Sequence, residues 1–164
     1  MKYDFKNKNI IVTGGTEGFG KNIIENLINN GANISFCARN LEQIDKMQKS
    51  FERLKKNNQK IISSKTDISQ KEEVESFIKF TIKEFSSIDV LINNAGVYGP
   101  IGPIDTVSWD EWVYALNINL IGSILMIRSL IPAFKAQKKS KIMQISGGGA
   151  TNPMPNFSSY AVSK

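Results

Sequence analysis

Apolar residues fall along this chain in two alternating rhythms. Short runs rich in β-branched and other apolar residues, NIIVTG, NISFCA, KIISSK, DVLIN and KIMQIS, are separated by segments in which apolar positions recur every three or four residues. The first helical segment carries Phe19, Ile23, Leu27 and Ile28 and stops at NNGA, a helix C-terminal signal. The second carries Leu41, Ile44, Met47, Phe51 and Leu54, and the third Val74, Phe77, Ile78, Ile82 and Phe85. A long helix is predicted from about Trp109 to Phe134, and one more begins near Ser158.

Strand and helix in strict alternation predict a mostly parallel sheet, because parallel neighbours need crossover connections and those place helices on both faces. The expected fold class is therefore α/β, a doubly wound five-stranded sheet forming one domain over residues 1–164. Ligands of such sheets bind beyond the C-terminal strand ends.

The long helix is apolar nearly all round. Trp112, Leu116, Leu120, Ile124, Ile127 and Ile131 make one face, and Val113, Ile118, Ile121, Leu125 and Met126 widen it. Such a helix is buried on more than one side. The sheet covers one side; a partner subunit, giving a homo-oligomer through residues 109–134, or a further part of the same chain covers the other.

Composition narrows the chemistry. The 41% hydrophobic and 22% charged residues are those of an ordinary globular protein. The stretch NLIGSILMIRSLIPAF is interrupted by Asn119 and Arg128 and is expected to fall short of a bilayer span, and MKYDFKNKNIIV does not read as a signal peptide. A cytoplasmic protein without membrane contact is expected. Histidine is absent, which removes the usual general base and most transition-metal sites. The net charge of +6 comes from scattered lysines without interleaved aromatics, a solvated surface rather than a nucleic-acid site. Cys37, the single cysteine, lies in an apolar run and reads as a buried small side chain.

The segment TGGTEGFG joins the first strand to the first helix. Gly14 permits the turn, Gly18 lets backbone approach a pyrophosphate, and Gly20 allows tight helix-to-strand packing, so Gly14, Thr16, Glu17, Gly18, Phe19 and Gly20 are candidate cofactor ligands. At the end of the second strand, FCARN places Ala38 where an acid would hold a ribose 2'-hydroxyl, and Arg39 follows. A basic residue there favours the 2'-phosphate of NADP(H). Glu17 argues mildly the other way and leaves NAD(H) open.

With TGGTEGFG in place, TDIS after strand three, DVLINNAG, INL in the long helix and the final YAVSK fall into one order, and the chain resembles the short-chain dehydrogenase/reductase family, Rossmann-fold oxidoreductases. The resemblance implies that Asp67 and Ile68 border the adenine, that Asn94, Ala95 and Gly96 border the adenosine ribose, and that Asn119 kinks the long helix and anchors a water in a proton relay. It matches Tyr160 and Lys164 to the catalytic pair, with Lys164 also on the nicotinamide ribose. The spacing has a physical basis: residues four apart share a helical face, and an ammonium beneath a phenol favours phenolate. The resemblance thus implies exchange of hydride between a nicotinamide cofactor and a small-molecule carbonyl or alcohol, with 3-oxoacyl thioesters as one candidate substrate class.

One position departs from the family pattern. The family's carbonyl-polarising serine stands thirteen residues before the tyrosine, and that position is Gly147. Either Ser146 takes the role through the adjoining flexible glycines, or another donor such as Thr151 does, or polarisation is weakened. A non-catalytic dinucleotide-binding protein is therefore carried as an alternative, and a sugar-nucleotide epimerase or dehydratase as a further one. The three residues between Gly14 and Gly18 disfavour the latter. VYGPIGPID, from Val97 to Asp105, is expected to border the substrate pocket. Family members continue past the lysine that ends this chain, so the 164 residues are expected to be a fragment, poorly stable and inactive in isolation.

Overall fold

A computed structural model describes residues 4–56, 58–137 and 139–164. Five strands, β1 (Asn9–Thr13), β2 (Asn33–Ala38), β3 (Ile61–Lys65), β4 (Val90–Asn93) and β5 (Lys141–Gln144), form one parallel sheet in the order β3-β2-β1-β4-β5. The expected doubly wound α/β fold is present. The chain reverses its direction of growth at β1, which pairs Val12 with Phe36 of β2 on one side and with Ile92 of β4 on the other.

All five residues of β1 are buried, because helices cover both faces and the strand has no solvent side. Its alternate side chains therefore serve two cores. Ile10 and Val12 pack with Ile24 and Ile28 of α1 (Gly18–Asn29) and Ile44 and Phe51 of α2 (Leu41–Leu54). Ile11 packs with Val74, Phe77 and Ile78 of α3 (Lys71–Phe85) and with Met126 and Leu130 of the long helix. Asn40 caps α2 by accepting from Gln43 N, so the loop after β2 turns sharply into its helix.

The long helix runs continuously over Trp109–Gln137, as α4 (Trp109–Leu116), a π-helical segment (Asn117–Gly122) and α5 (Ser123–Gln137). Its 29 residues are long and apolar enough to cross a membrane, which corrects the expectation that the stretch falls short of that length. Its packing is that of a core helix: Ile118, Met126 and Leu130 are buried among the residues of β1, β4 and α3. Leu120, Ile121, Ile124 and Ile131 stand outward and exposed.

Two further features differ from the sequence reading. Phe19, expected on the apolar face of α1, is 61% exposed, because the first turn of α1 borders the cleft beyond the strand ends. Strand β5 ends at Gln144, and all four of its residues are exposed; it is one of the sheet's two outer strands, with β4 as its partner. Beyond it a short 3-10 turn (Gly148–Ala150) leads to α6 (Ser158–Ser163).

Candidate active site

A cleft of about 790 Å³ opens past the C-terminal ends of β1, β2 and β4, where a doubly wound sheet is expected to bind its ligand. The candidate site residues named from the sequence line it, apart from Thr151 and from Asn119, which lies directly behind Gly96.

The glycine loop forms one wall. Gly14 has φ +66°, and a Cβ there would stand 2.9 Å from Ala95 Cα, so the loop after β1 lies directly on the loop after β4. A Cβ on Gly20 would overlap Gly14 O and the Asn94 amide. Gly18, at φ +54°, has nothing within 4 Å of the same point, so its backbone faces open space, the feature a pyrophosphate would require. Glu17 precedes α1 without capping it through its side chain, which leaves the first-turn N–H groups without a side-chain cap.

Thr13 and Asn94 clamp the two loops together. The buried Thr13 hydroxyl accepts from Asn94 N and Ala95 N, both at 3.0 Å, and Asn94 Nδ2 donates to Thr13 O at 2.9 Å and Gly14 O at 3.0 Å. Sequence reasoning found Asn94, Ala95 and Gly96 but missed Thr13, whose only signal is that it precedes the first glycine.

At the far end, the Asp67 carboxylate accepts from Ser69 N (2.9 Å) and Ser69 Oγ (2.8 Å), both through Oδ1, which fixes its orientation at the rim. Ile68 is buried against Gly122 of the π segment, where a Cβ would stand 2.8 Å from it. Arg39 Nη1 donates to the Tyr114 hydroxyl of α4, and its guanidinium carbon lies 5.8 Å from that ring's centroid. Thr16 Oγ1 lies 3.5 Å from Gln43 Oε1 in the same wall.

The other end of the cleft gathers the polar groups. Asn119 Oδ1 accepts from Val97 N at 2.8 Å, while its Nδ2 donates to Val97 O and to Ser163 Oγ, each at 2.8 Å. One side chain thus ties the loop after β4 to α6, and the π segment that carries it is the local distortion expected at Asn119. Tyr160 and Lys164 lie one turn apart, with Lys164 Nζ 5.7 Å from the Tyr160 ring centroid and donating to Ile145 O at 3.3 Å. Burial pushes the Lys164 ammonium below its ordinary pKa, because the charged form loses solvent. Gly96 separates the two: a Cβ on it would stand 3.0 Å from Lys164 Nζ and 3.3 Å from Asn119 Oδ1. Tyr98 packs on Tyr160 with ring centroids 5.0 Å apart, and Ser159 Oγ donates to Tyr98 O at 3.1 Å.

Ser146 lines the cleft, its hydroxyl donating to the Lys164 carbonyl at 3.4 Å. Thr151 lies outside the cleft, exposed, its hydroxyl accepting from Asn152 Nδ2 at 3.1 Å, so it is withdrawn as a substitute for the serine. Two of the three glycines after β5, Gly147 and Gly149, prove to be closely packed rather than merely flexible. A Cβ on Gly147 would stand 2.7 Å from Tyr160 Cζ and overlap its hydroxyl, and one on Gly149 would stand 2.8 Å from Ala161 Cα.

Comparisons with known proteins agree with this arrangement. Residues 8–164 match the family profile for short chain dehydrogenase, and the chain belongs to that family. It is 31% identical over 159 residues to an uncharacterized oxidoreductase of Listeria monocytogenes, covering 97% of this chain and 62% of the relative. It is 35% identical over 137 residues to the diacetyl reductase [(S)-acetoin forming] of Staphylococcus epidermidis, covering 83% of this chain and 52% of the relative. Among solved structures, NAD+-bound xylitol dehydrogenase superposes with a TM-score of 0.93 at 24% identity, over 99% of this chain and 61% of that one, a likeness of fold. A metagenomic short-chain oxidoreductase in complex with NADP gives 0.89 at 28% identity, over 98% and 71%. The chain thus spans 62% of the length of the Listeria relative and 52% of that of the Staphylococcus one.

Proposed function

We propose that this chain is the cofactor-binding and catalytic part, a single domain over residues 1–164, of an NADP(H)-preferring oxidoreductase that interconverts a carbonyl and a secondary alcohol. One observation carries the reading: the Tyr160 and Lys164 pair stands at one end of a cleft whose other parts are an open glycine loop and an arginine.

The residues fit a dinucleotide. Gly18 leaves backbone open to a pyrophosphate, the first turn of α1 has no side-chain cap, and Asp67, Ile68 and the Asn94–Gly96 loop frame the adenosine end. The bound nicotinamide supplies or receives the hydride. Tyr160 exchanges the proton at the substrate oxygen through its hydroxyl. Lys164 holds a positive charge beneath the ring, where it stabilises the negative charge left on the phenol oxygen, and reaches toward the nicotinamide ribose. Asn119 positions the Val97 loop and α6, and so the distance between the reacting groups, and it is our candidate anchor for a relay water. Ser146 is the candidate polariser of the carbonyl.

The similarity to a diacetyl reductase supports a small ketone as substrate, with 3-oxoacyl thioesters as the second class to be tested. The exposed apolar face of the long helix supports a homo-oligomer, and we place the protein in the cytoplasm, acting on small molecules without nucleic acid or membrane. Gly147 supports one other reading, a dinucleotide-binding protein that does not turn over.

The test is oxidation of NADPH and of NADH by the protein against diacetyl, other ketones and 3-oxoacyl thioesters, with Tyr160→Phe as control. Turnover that the control abolishes, faster with NADPH, is expected. Binding of NADPH with no turnover on any substrate would leave the non-catalytic reading in its place.

A further inference from the structure

We propose that Tyr114 of α4 is a second ligand of the cofactor 2'-phosphate, forming with Arg39 a two-residue cradle that selects NADP(H). The inference rests on the NADP(H) reading above and adds to it a residue 75 positions away in sequence.

Arg39 stands at the C-terminal end of β2, on the wall of the cleft. Its Nη1 donates to the Tyr114 hydroxyl and its guanidinium carbon lies 5.8 Å from the centroid of that ring. Among the described residues Arg39 makes no salt bridge, so its charge is paired with a neutral phenol rather than cancelled by a carboxylate. A guanidinium has five N–H donors in a planar fork, and one of them is used here.

The phenol is equally underused. It accepts one hydrogen bond from Arg39, and among the described residues its O–H donates to no acceptor. Tyr114 does not itself line the cleft; it meets the site through Arg39, which does, from the last α-helical turn before the lining residue Ile118. Two potential donors, one of them cationic, thus meet at the C-terminal end of β2, where the 2'-position of an adenosine ribose is expected. A phosphate dianion takes up both: the free guanidinium N–H groups through charge-assisted bonds, and the tyrosine O–H while it still accepts from Arg39. A ribose hydroxyl in the same place gains little from either. Holding the exposed arginine against Tyr114 before the ligand arrives also reduces the side-chain freedom lost on binding.

The dissociation constants of NADPH and NADH, measured by titration calorimetry on the wild-type protein and on Tyr114→Phe and Arg39→Ala, test this. Tyr114→Phe keeps the ring and removes one hydrogen-bonding group, so NADPH binding is expected to weaken roughly three- to tenfold, with NADH changed by less than about twofold. Arg39→Ala is expected to weaken NADPH more strongly. If Arg39→Ala weakens NADPH while Tyr114→Phe does not, Arg39 is the phosphate ligand by itself and the cradle is wrong. If Tyr114→Phe weakens both cofactors alike, Tyr114 acts on the shared adenosine part and the inference also fails. If Arg39→Ala leaves NADPH unchanged, the 2'-phosphate reading falls together with it. Tyr114 is 40% exposed, so its Phe variant is expected to melt with the wild type, and the melting temperature is read alongside.

Discussion

The Tyr160 phenol occupies the space that a Cβ on Gly147 would fill. The ring is held there by Tyr98 on one face, 5.0 Å away between centroids, and α6 is closed onto the turn after β5 at Gly149. The missing side chain at position 147 therefore matches the seat of the proposed acid. Restoring the serine is expected to harm activity rather than improve it, because the phenol must move, and a displacement on the order of 1 Å costs about a hundredfold in rate. Gly147→Ser and Gly147→Ala should both lower kcat with little change in the dissociation constant of NADPH. A Gly147→Ser variant faster than wild type would mean that polarisation of the carbonyl, and not the seat of Tyr160, limits the reaction.

Lys164 is expected to set a pH limit on the proposed reaction. Its ammonium loses solvent on burial, so its pKa lies below the ordinary lysine value. The protonated form is the one the proposed mechanism uses. Activity should consequently fall as pH rises through this depressed value, at lower pH than an ordinary lysine would impose. Lys164→Arg, which stays charged, should lose that alkaline limb even where its overall rate is low. The linkage to stability has the opposite sense: with the folded pKa below the unfolded one, the unfolded chain holds more protons between them, so stability rises with pH across that window and is lost as pH falls through the folded value. A profile of kcat/KM against pH for both proteins checks the first statement, and an alkaline limb unchanged in Lys164→Arg would assign it to another group.

How much of this was legible before the fold was known depends on the range of each interaction. β2 lies at the residues its apolar run predicts, because burial of both faces writes itself into consecutive positions. The glycine loop was legible for a similar reason, as a local pattern with a local physical cause, whereas the spacing of Tyr160 and Lys164 is common by itself and the pair stood out through the family's order of motifs before it. Thr13 and Tyr114 were not: their partners lie 81 and 75 residues away, and nothing near either marks the contact. Phe19 misled, since helical spacing tells which residues share a face but not that the first turn of α1 borders a cleft. The π segment at Asn117–Gly122 was implied by the family's asparagine and not by periodicity, which a single extra residue in one turn barely disturbs.

Cys37 offers a check on the core. It is wholly buried beside the glycine loop, and loss of solvent pushes its thiol up to about 12, with a backbone hydrogen bond from Gly14 opposing the shift. Native protein should therefore resist a disulfide reagent near pH 8, and the thiol should become reactive only with global unfolding. The sign for stability follows: an unfolded thiol ionises before the native one does, so stability present below the unfolded value is lost as pH rises toward the folded one. Reaction of native protein as fast as that of a free thiol would mean that β2 and the glycine loop open readily, and the cleft with them.

The long helix separates two kinds of apolar residue, and substitution should tell them apart. Met126 is fully buried between the sheet and α3, whereas Ile124, two residues earlier, is 48% exposed on the outward face. Met126→Ala removes buried methylene groups and leaves a cavity, which is expected to cost about 2–5 kcal/mol of stability without changing the association state. Ile124→Glu places a charge on the face proposed to meet a second subunit, and leaves the core contacts of Met126 and Leu130 in place. It is expected to yield smaller particles by light scattering coupled to size exclusion, with the fold retained by circular dichroism. Should Ile124→Glu leave the particle size unchanged, the outward face is covered by something other than a second copy of this helix, and the proposed oligomer must be sought on another surface.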